Sequence, residues 1–532
     1  MSDNCTYISY EQTTAFKQIV IDYIHQKKEL QPFYNHPVSL EGITASISER
    51  KNFNTNRQLL VDVLRKQYDH IQLTEQQEFN LNALLSNDTF TITTAHQPNI
   101  FTGPLYFIYK IIHAIKMADE LKKSFNNYHF IPFYYMGSED ADLDELGYIY
   151  INGEKKVWNT QQTGAVGRML VDNQFIQLIQ EIQLQIDVLP FGKELSTLFK
   201  ESYTVGTTIQ DATLLLVNKL FAHFGLLILL PDNAALKMAF EPVIEKELIE
   251  QFSHKAVAET IQELSKNYKV QASGRNINLF YLLNDKRERI EKNDTVFFVS
   301  NLDLQWTESE ILLELKNHPE RFSANVILRG VFQETVLPNI AFIGGGGEIA
   351  YWLELKKVFE AAKVPYPMLV LRNSFLLVNE KERKQINNMQ FSVVDFFAST
   401  NLVLEKLIQR NSTHQLELTQ EIEQLQAVFN KIKLVTDVVD STLTQHTNAL
   451  QTKFLKPIYE LEKKILRAEK RKYSYQQQQI NHIKQTLFPN NNLQERIVNI
   501  AAFYPVLGVK LLQIIYDASK TLEQEFCIVD IQ

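Results

Sequence analysis

The chain has 532 residues, 45% hydrophobic and 22% charged, with a formal net charge of −8. This describes a folded protein of two to four domains and excludes a generic binder of nucleic-acid backbones, which needs a basic surface. Its two cysteines, Cys5 and Cys527, form no CxxC pair, so no structural zinc site or disulfide framework is expected; with no secretory signal pattern and no apolar run of about 18 residues, a cytoplasmic protein is.

Residues 1–86 read as an N-terminal helical segment. Phe16, Ile19, Val20, Tyr23 and Ile24 recur at helical spacing, as do Leu60, Val63, Leu64, Tyr68 and Ile71. From 87 to 375 the pattern becomes strands separated by helices. Thr89 to Thr94 is a β-branched strand, followed by a loop and a helix with Leu105, Ile108, Ile112, Ile115 and Ala118 on one face. Further strands are read at Phe130 to Met136, at Leu226 to Leu230, immediately before a glycine run, and at Met368 to Leu371. Such alternation means βα units and a mainly parallel sheet, hence an α/β fold with a Rossmann-like core. Segments of mixed character at about 150–222 and 233–325 read as insertions.

Residues 376–532 form a third segment, helical with a C-terminal tail. Leu418, Ile422, Leu425, Phe429, Ile432, Thr436 and Val439 alternate steps of four and three, and Phe454, Ile458, Leu461, Ile465 and Ala468 repeat the seam. Asp440-Ser441 between them suits a break, since both residues cap helices. A coiled-coil hairpin is expected, and its long seam calls for a homodimer partner. The basic run at Lys463 to Lys472 reads as a solvated helical face.

In open α/β sheets ligands sit beyond the carboxyl ends of strands. Three polar loops are read at that position. The first carries His96 and Gln97, then Thr102-Gly103-Pro104 opening a helix on which Tyr106 and Lys110 share a face. His96 reads equally as a structural hydrogen-bonder and as a catalyst. The second, GSEDADLDE, holds five carboxylates in seven residues. Such density is either a solvated turn or, with Glu139, Asp140 and Asp142, a grip for an ammonium, Mg²⁺ or sugar hydroxyls.

The third loop is Gly344 to Gly347, four of the chain's 17 glycines, with Glu348 and Trp352 at i, i+4 on the helix that follows. It reads either as an anion-binding turn or as a tight left-handed turn. Neither GxxxxGK[ST] nor a complete GxGxxG fingerprint is present. Arg329 before it and Arg372 after the last strand are candidates to clamp a carboxylate or phosphate.

HQPNIFTGPLYFIYK (96–110), YMGSEDADLDEL (135–146), RGVFQETVLPNIAFIGGGGEIAYWLELKKVFE (329–360) and LFPNNNLQERI (487–497) occur in this order. Together they resemble the bacillithiol-biosynthesis cysteine ligase (BshC) family over roughly residues 85–500. The resemblance implies a Rossmann-like core akin to class I aminoacyl-tRNA synthetases, connecting-peptide insertions, and a coiled coil used for dimerisation. It also implies addition of L-cysteine to the amine of glucosaminyl-malate. This sequence has Thr94-Ala95-His96-Gln97 where many members read TGQQ, and Gly346 where the common motif is GGPGE.

Amide formation in water requires an activated carboxyl, so ATP with Mg²⁺ is expected from the fold kinship, although KMSKS and HIGH signatures are absent. Cysteine selection by zinc is not expected, for want of ligands. The expected site joins His96, Gln97, Glu139, Asp140 and Asp142 as catalytic residues. Thr102, Gly103, Tyr106, Lys110, Arg329, Gly344, Gly345, Gly346, Gly347, Glu348, Trp352 and Arg372 are its expected binding residues. Competing readings are another synthetase-like ligase or nucleotidyltransferase, and a non-catalytic coiled-coil scaffold; polar residues grouped at three strand ends count against the scaffold.

Overall fold

The computed structural model describes residues 4–270, 274–412 and 414–531. Five parallel strands form its central sheet: β1 (Thr89–His96), β2 (His129–Met136), β3 (Leu227–Leu229), β4 (Asn339–Gly344) and β5 (Met368–Leu371). Their spatial order is β5-β4-β1-β2-β3, every neighbouring pair parallel. Chain order thus runs outward one way from β1 to β3 and the other way through β4 and β5. The reversal falls between β1 and β4, and at such a switch point the crossover connections diverge and leave a crevice at the strands' carboxyl ends.

Parallel strands covered on both faces read as continuous apolar or β-branched runs, and β1 follows this, buried from Thr89 through Thr94. Its threonines satisfy their hydroxyls inside the sheet: Thr94 donates to the Ile343 carbonyl at 2.9 Å, and Thr91 and Thr93 share a bond of 3.1 Å. Helix α1 (Tyr106–Ser124) packs on β1 and β2. Ala114, Met117, Ala118 and Leu121 of α1 join Ile43, Ile47, Ile92, Ile343 and Val370 in the core.

Between β2 and β3 lie a hairpin, Tyr148–Ile151 with Glu154–Val157, and four α-helices; between β3 and β4 lie helices Ala234–Glu250 and Phe252–Leu264 and two small antiparallel sheets. Helix α2 (Val326–Val336) leads into β4, and α3 (Gly346–Trp352) leaves it. The N-terminal segment is largely helical but opens on a strand, Cys5–Ile8. That strand pairs antiparallel with Phe526–Ile531, setting Tyr7 opposite Cys527. Both cysteines, remote in sequence, therefore lie on adjacent strands.

The chain divides into two compact units, 1–377 with 492–529, and 378–491 with 530–532. This departs from the three segments read from the sequence. Residues 1–86 belong with the sheet, and the stretch 492–529 returns to it instead of continuing the helical domain. The physical reason is hydrogen bonding: Gln494 and Glu495 accept from the backbone N–H groups of Leu377 and Phe375.

In the second unit, α4 (Thr419–Val439) and α5 (Thr442–Lys470) form the expected hairpin. Asp440 accepts the Thr442 N–H at 2.9 Å at the break. Packing within this pair buries Ile422 and Leu455, yet Ile432 remains 44% exposed, Val439 73% and Phe454 61%.

Candidate functional site

A cavity of about 350 Å³ opens where the carboxyl ends of β1 and β4 diverge. Of the residues expected at a site, His96, Gln97, Tyr106, Lys110, Arg329, Gly345, Gly346, Gly347, Glu348 and Arg372 line it. Gly137, Glu145, Tyr351 and Arg496 complete its polar wall and were not singled out from the sequence.

His96 ends β1 with its ring buried against Phe107. Its Nδ1–H donates to the Gln97 carbonyl at 3.0 Å, so Nε2 is left as an acceptor, 3.2 Å from the Tyr106 hydroxyl. Burial first, and nearby Lys110 second, push its pKa down to about 4. At neutral pH His96 is an uncharged acceptor that orients Tyr106. Tyr106 in turn lies under the Arg372 guanidinium, 5.5 Å from the ring centroid.

Asp140 is the hub of the second loop. Its Oδ2 accepts from Gln97 Nε2 at 2.9 Å and from Arg329 Nη1 at 2.9 Å, and Oδ1 lies 3.7 Å from Arg287 Nη1. Burial opposes its ionisation, but Arg329 and Arg287 outweigh that and hold the carboxyl below its ordinary range. An anion held by such donors is a poor proton acceptor and a good anchor. Glu145, whose carboxyl has no comparable partner among the described residues, is raised by desolvation and by the adjacent charges of Asp142 and Asp140. A carboxylate raised in this way on a cavity wall suits proton transfer.

Of the two readings of the glycine loop, the backbone rules out the left-handed turn: none of Gly344 to Gly347 has positive φ. Close approach explains Gly344 instead. A Cβ on Gly344 would come within 2.9 Å of the Phe342 ring, whereas one on Gly347 would meet nothing within 4 Å. The Gly345 N–H donates to Glu348 at 2.8 Å, and the same carboxylate oxygen pairs with buried Lys110, whose Nζ also donates to the Ala95 carbonyl at 2.9 Å.

Arg372 is fixed by a buried bidentate pair with Glu495, at 2.6 and 3.0 Å. Its Nε is buried with no hydrogen-bond acceptor among the described residues and lies 3.7 Å from where a Gly345 Cβ would stand. An orphaned guanidinium N–H beside a side-chain-free loop is a donor awaiting an acceptor.

Six expected residues, and a seventh in part, take other parts. Glu139 is bound by Lys237 and by the Ser323 hydroxyl, 3.1 Å away, in a network continuing through Asp232 to Arg168. It neutralises a buried lysine behind the cavity. Asp142 caps the helix Leu143–Leu146, accepting the Glu145 N–H at 3.3 Å. Thr102 and Gly103 form a turn of positive φ, 71° and 61°, clamped by Asn499, which donates to the Phe101 and Gly103 carbonyls at 2.9 and 2.6 Å. Trp352 stacks on Phe342, centroids 4.3 Å apart, within the core. Gly344 is the last ladder residue of β4. Asp140 borders two cavities adjacent to the main one and reaches the latter through Gln97 and Arg329.

His113 is buried and His96 half-buried, and both are pushed down to about 4, chiefly by burial. Each is neutral when folded, whereas an unfolded histidine takes up a proton below about pH 6.5. The unfolded chain therefore binds more protons between about pH 6.5 and 4, and stability falls as pH drops through that window. Each histidine is worth on the order of 3 kcal/mol when the window is crossed. Denaturant unfolding at pH 7 and pH 5 is expected to show the loss, restored in part by His113→Gln; identical profiles for the two proteins would contradict it.

Comparison with known proteins adds an independent finding. The family model described as "Bacillithiol biosynthesis BshC, N-terminal Rossmann-like domain" matches residues 4–373, and "Bacillithiol biosynthesis BshC, C-terminal coiled-coil domain" matches 375–531. A Flavobacterium johnsoniae protein named "Putative cysteine ligase BshC" is 40% identical, covering 98% of this chain and 99% of its own. Proteins of the same name from Christiangramia forsetii and Cytophaga hutchinsonii are 37% and 34% identical, covering 99% and 96% of both chains respectively. A solved Campylobacter jejuni structure described as a "putative arginyl t-RNA synthetase" aligns with a TM-score of 0.22 at 10% identity over 85% of this chain and 100% of its own, too little to argue from.

Proposed function

Because the chain belongs to the BshC family of bacillithiol-biosynthesis proteins, we propose that it is a cytoplasmic ligase joining the carboxyl of L-cysteine to the amine of glucosaminyl-malate. The observation that carries this reading is the cavity at the sheet's switch point. Its lining combines cationic donors (Arg329, Arg372, Lys110 and Arg496) with a carboxylate of raised pKa, Glu145.

Amide formation needs an anionic oxygen stabilised and an amine freed of its proton. The Arg372 Nε donor and the first N–H groups of α3, at Gly346 and Gly347, suit the first task. Glu145 suits the second, or holds the ammonium of cysteine. Asp140 keeps Arg329 and Gln97 aimed at the cavity wall, and neutral His96 fixes Tyr106. ATP, with Mg²⁺, would supply carboxyl activation; the orphaned donor and the open space at Gly347 fit a phosphate, held by Arg372 and Arg496. Among the described residues no group of three His, Cys, Asp or Glu side chains forms a metal site, consistent with an ion carried on phosphate oxygens.

The exposed apolar positions of α4 and α5 support a homodimer through the coiled coil. The test of the reaction is incubation of pure protein with glucosaminyl-malate, ATP and one amino acid at a time. A product of the combined mass less water with cysteine alone supports the reading, and AMP or ADP release identifies the activation route. Equal turnover of serine or alanine would transfer the site to another amino-acid ligase.

A further inference from the structure

A second cavity of about 350 Å³ adjoins the first, sharing Arg329 and Val326 with it. Its charged wall consists of Arg275, Arg287, Arg289, Arg329 and Asp140. Strand Leu279–Leu283 pairs with Lys286–Arg289, setting Phe280 opposite Arg289 and Leu282 opposite Arg287. The strand period of two therefore puts both arginines on one face.

Arg287 is anchored: its Nε donates to Ser323 Oγ at 3.1 Å and its Nη2 to the Ala324 carbonyl at 3.2 Å, and it lies over the Phe280 ring at 3.9 Å. Arg329 is held by Asp140. Arg275 and Arg289 are exposed, and among the described residues neither guanidinium has an ion-pair partner. Four guanidinium groups thus face a space with one carboxylate on its wall, in a chain whose net charge is −8. Clustering like charge in this way is unfavourable until a ligand of opposite sign enters. Apart from Asn325, the remaining wall is apolar, formed by Ile277, Leu279, Phe280, Val326 and Ile327. That mixture suits a short carbon skeleton bearing two carboxylates. A polyphosphate has no apolar part to bury there.

We propose that this second cavity is the subsite for a dicarboxylate group of the acceptor substrate, bound by Arg275 and Arg289 with Arg287 and Arg329 behind them. A molecule with an amine at one end and a dianion at the other then spans both cavities past Arg329. The proposal rests on the ligation reading above, in which the dianion is the malyl group of glucosaminyl-malate.

The test is calorimetric binding to wild type and to the Arg275→Gln/Arg289→Gln variant, whose exposed positions spare the core. Three probes are used: glucosaminyl-malate, methyl glucosaminide (the same amine without the carboxylates) and ATP. Glucosaminyl-malate is expected to bind the double variant about 10–100-fold more weakly, the scale of lost charge-assisted hydrogen bonds, with methyl glucosaminide unchanged. An unchanged affinity for glucosaminyl-malate, no binding to wild type, or a loss confined to ATP would each overturn the subsite. Turnover separates the two claims. Arginine-dependent binding without amide formation rejects the ligation reading alone, whereas ligation with an unchanged KM in the double variant rejects the subsite alone.

Discussion

Replacing Asp140 by Asn is expected to lower kcat/KM for ligation by about 10²–10³, the usual cost of removing electrostatic organisation around a transition state. The carboxylate accepts from Gln97 and Arg329 at the same oxygen. An amide in its place offers one weaker acceptor and sets an NH₂ group against a cation. Arg329 then loses its ion-pair partner, and its guanidinium is free to leave the cavity wall. Glu139→Gln, one residue away, is expected to act differently. It removes a partner of Lys237, whose side chain is 2% exposed, so the cost falls on folding, toward the 3–5 kcal/mol scale of about one broken buried pair, softened by the remaining Asp232 contact. Denaturant unfolding and steady-state kinetics on both variants check the contrast. Equal rate loss in the two at equal stability would show that the acidic loop acts as one unit.

The coiled coil gives the second large effect. Light scattering of the full chain is expected to give about twice 61.8 kDa. Ile432 and Val439 are exposed in the single chain, where substitution by Glu would change stability by no more than about 0.5 kcal/mol. In a dimer the same pair of changes buries unpaired charges, each costing about 3–5 kcal/mol. The Ile432→Glu/Val439→Glu variant is therefore expected to be a folded monomer. A variant that remains dimeric would place the interface elsewhere.

The parallel sheet was legible because its signals are local. β1 is a β-branched run, β4 ends in glycines, and the seam of α4 and α5 keeps its heptad spacing. The cluster of His96, Gln97, Lys110, Glu348 and Arg372 was legible for the same reason, since strand ends in such a sheet converge. What escaped the sequence depends on partners far along the chain. Glu139 is claimed by Lys237, 98 positions away, and the turn at Thr102-Gly103 by Asn499, nearly 400 away. No periodicity reveals either. Trp352 falls at i, i+4 from Glu348 yet turns into the Phe342 stack, because a large ring gains more from burial than from a wet cavity wall. Glu145 was hidden among five carboxylates; only its place on the cavity wall separates it from Asp142 and Asp144.

The central claim is that reaction occurs in the crevice between β1 and β4, and Gly347 offers the cleanest access to it. A Cβ there would meet nothing within 4 Å, and its φ is not positive, so Gly347→Leu adds bulk to the cavity's lining without straining the backbone. The measurement is product formation by mass spectrometry from cysteine, glucosaminyl-malate and ATP, for wild type and Gly347→Leu at matched unfolding temperature. The account predicts a cysteinyl amide product with wild type and at least about a 10²-fold loss in the variant. Undiminished turnover by a folded Gly347→Leu protein would contradict it.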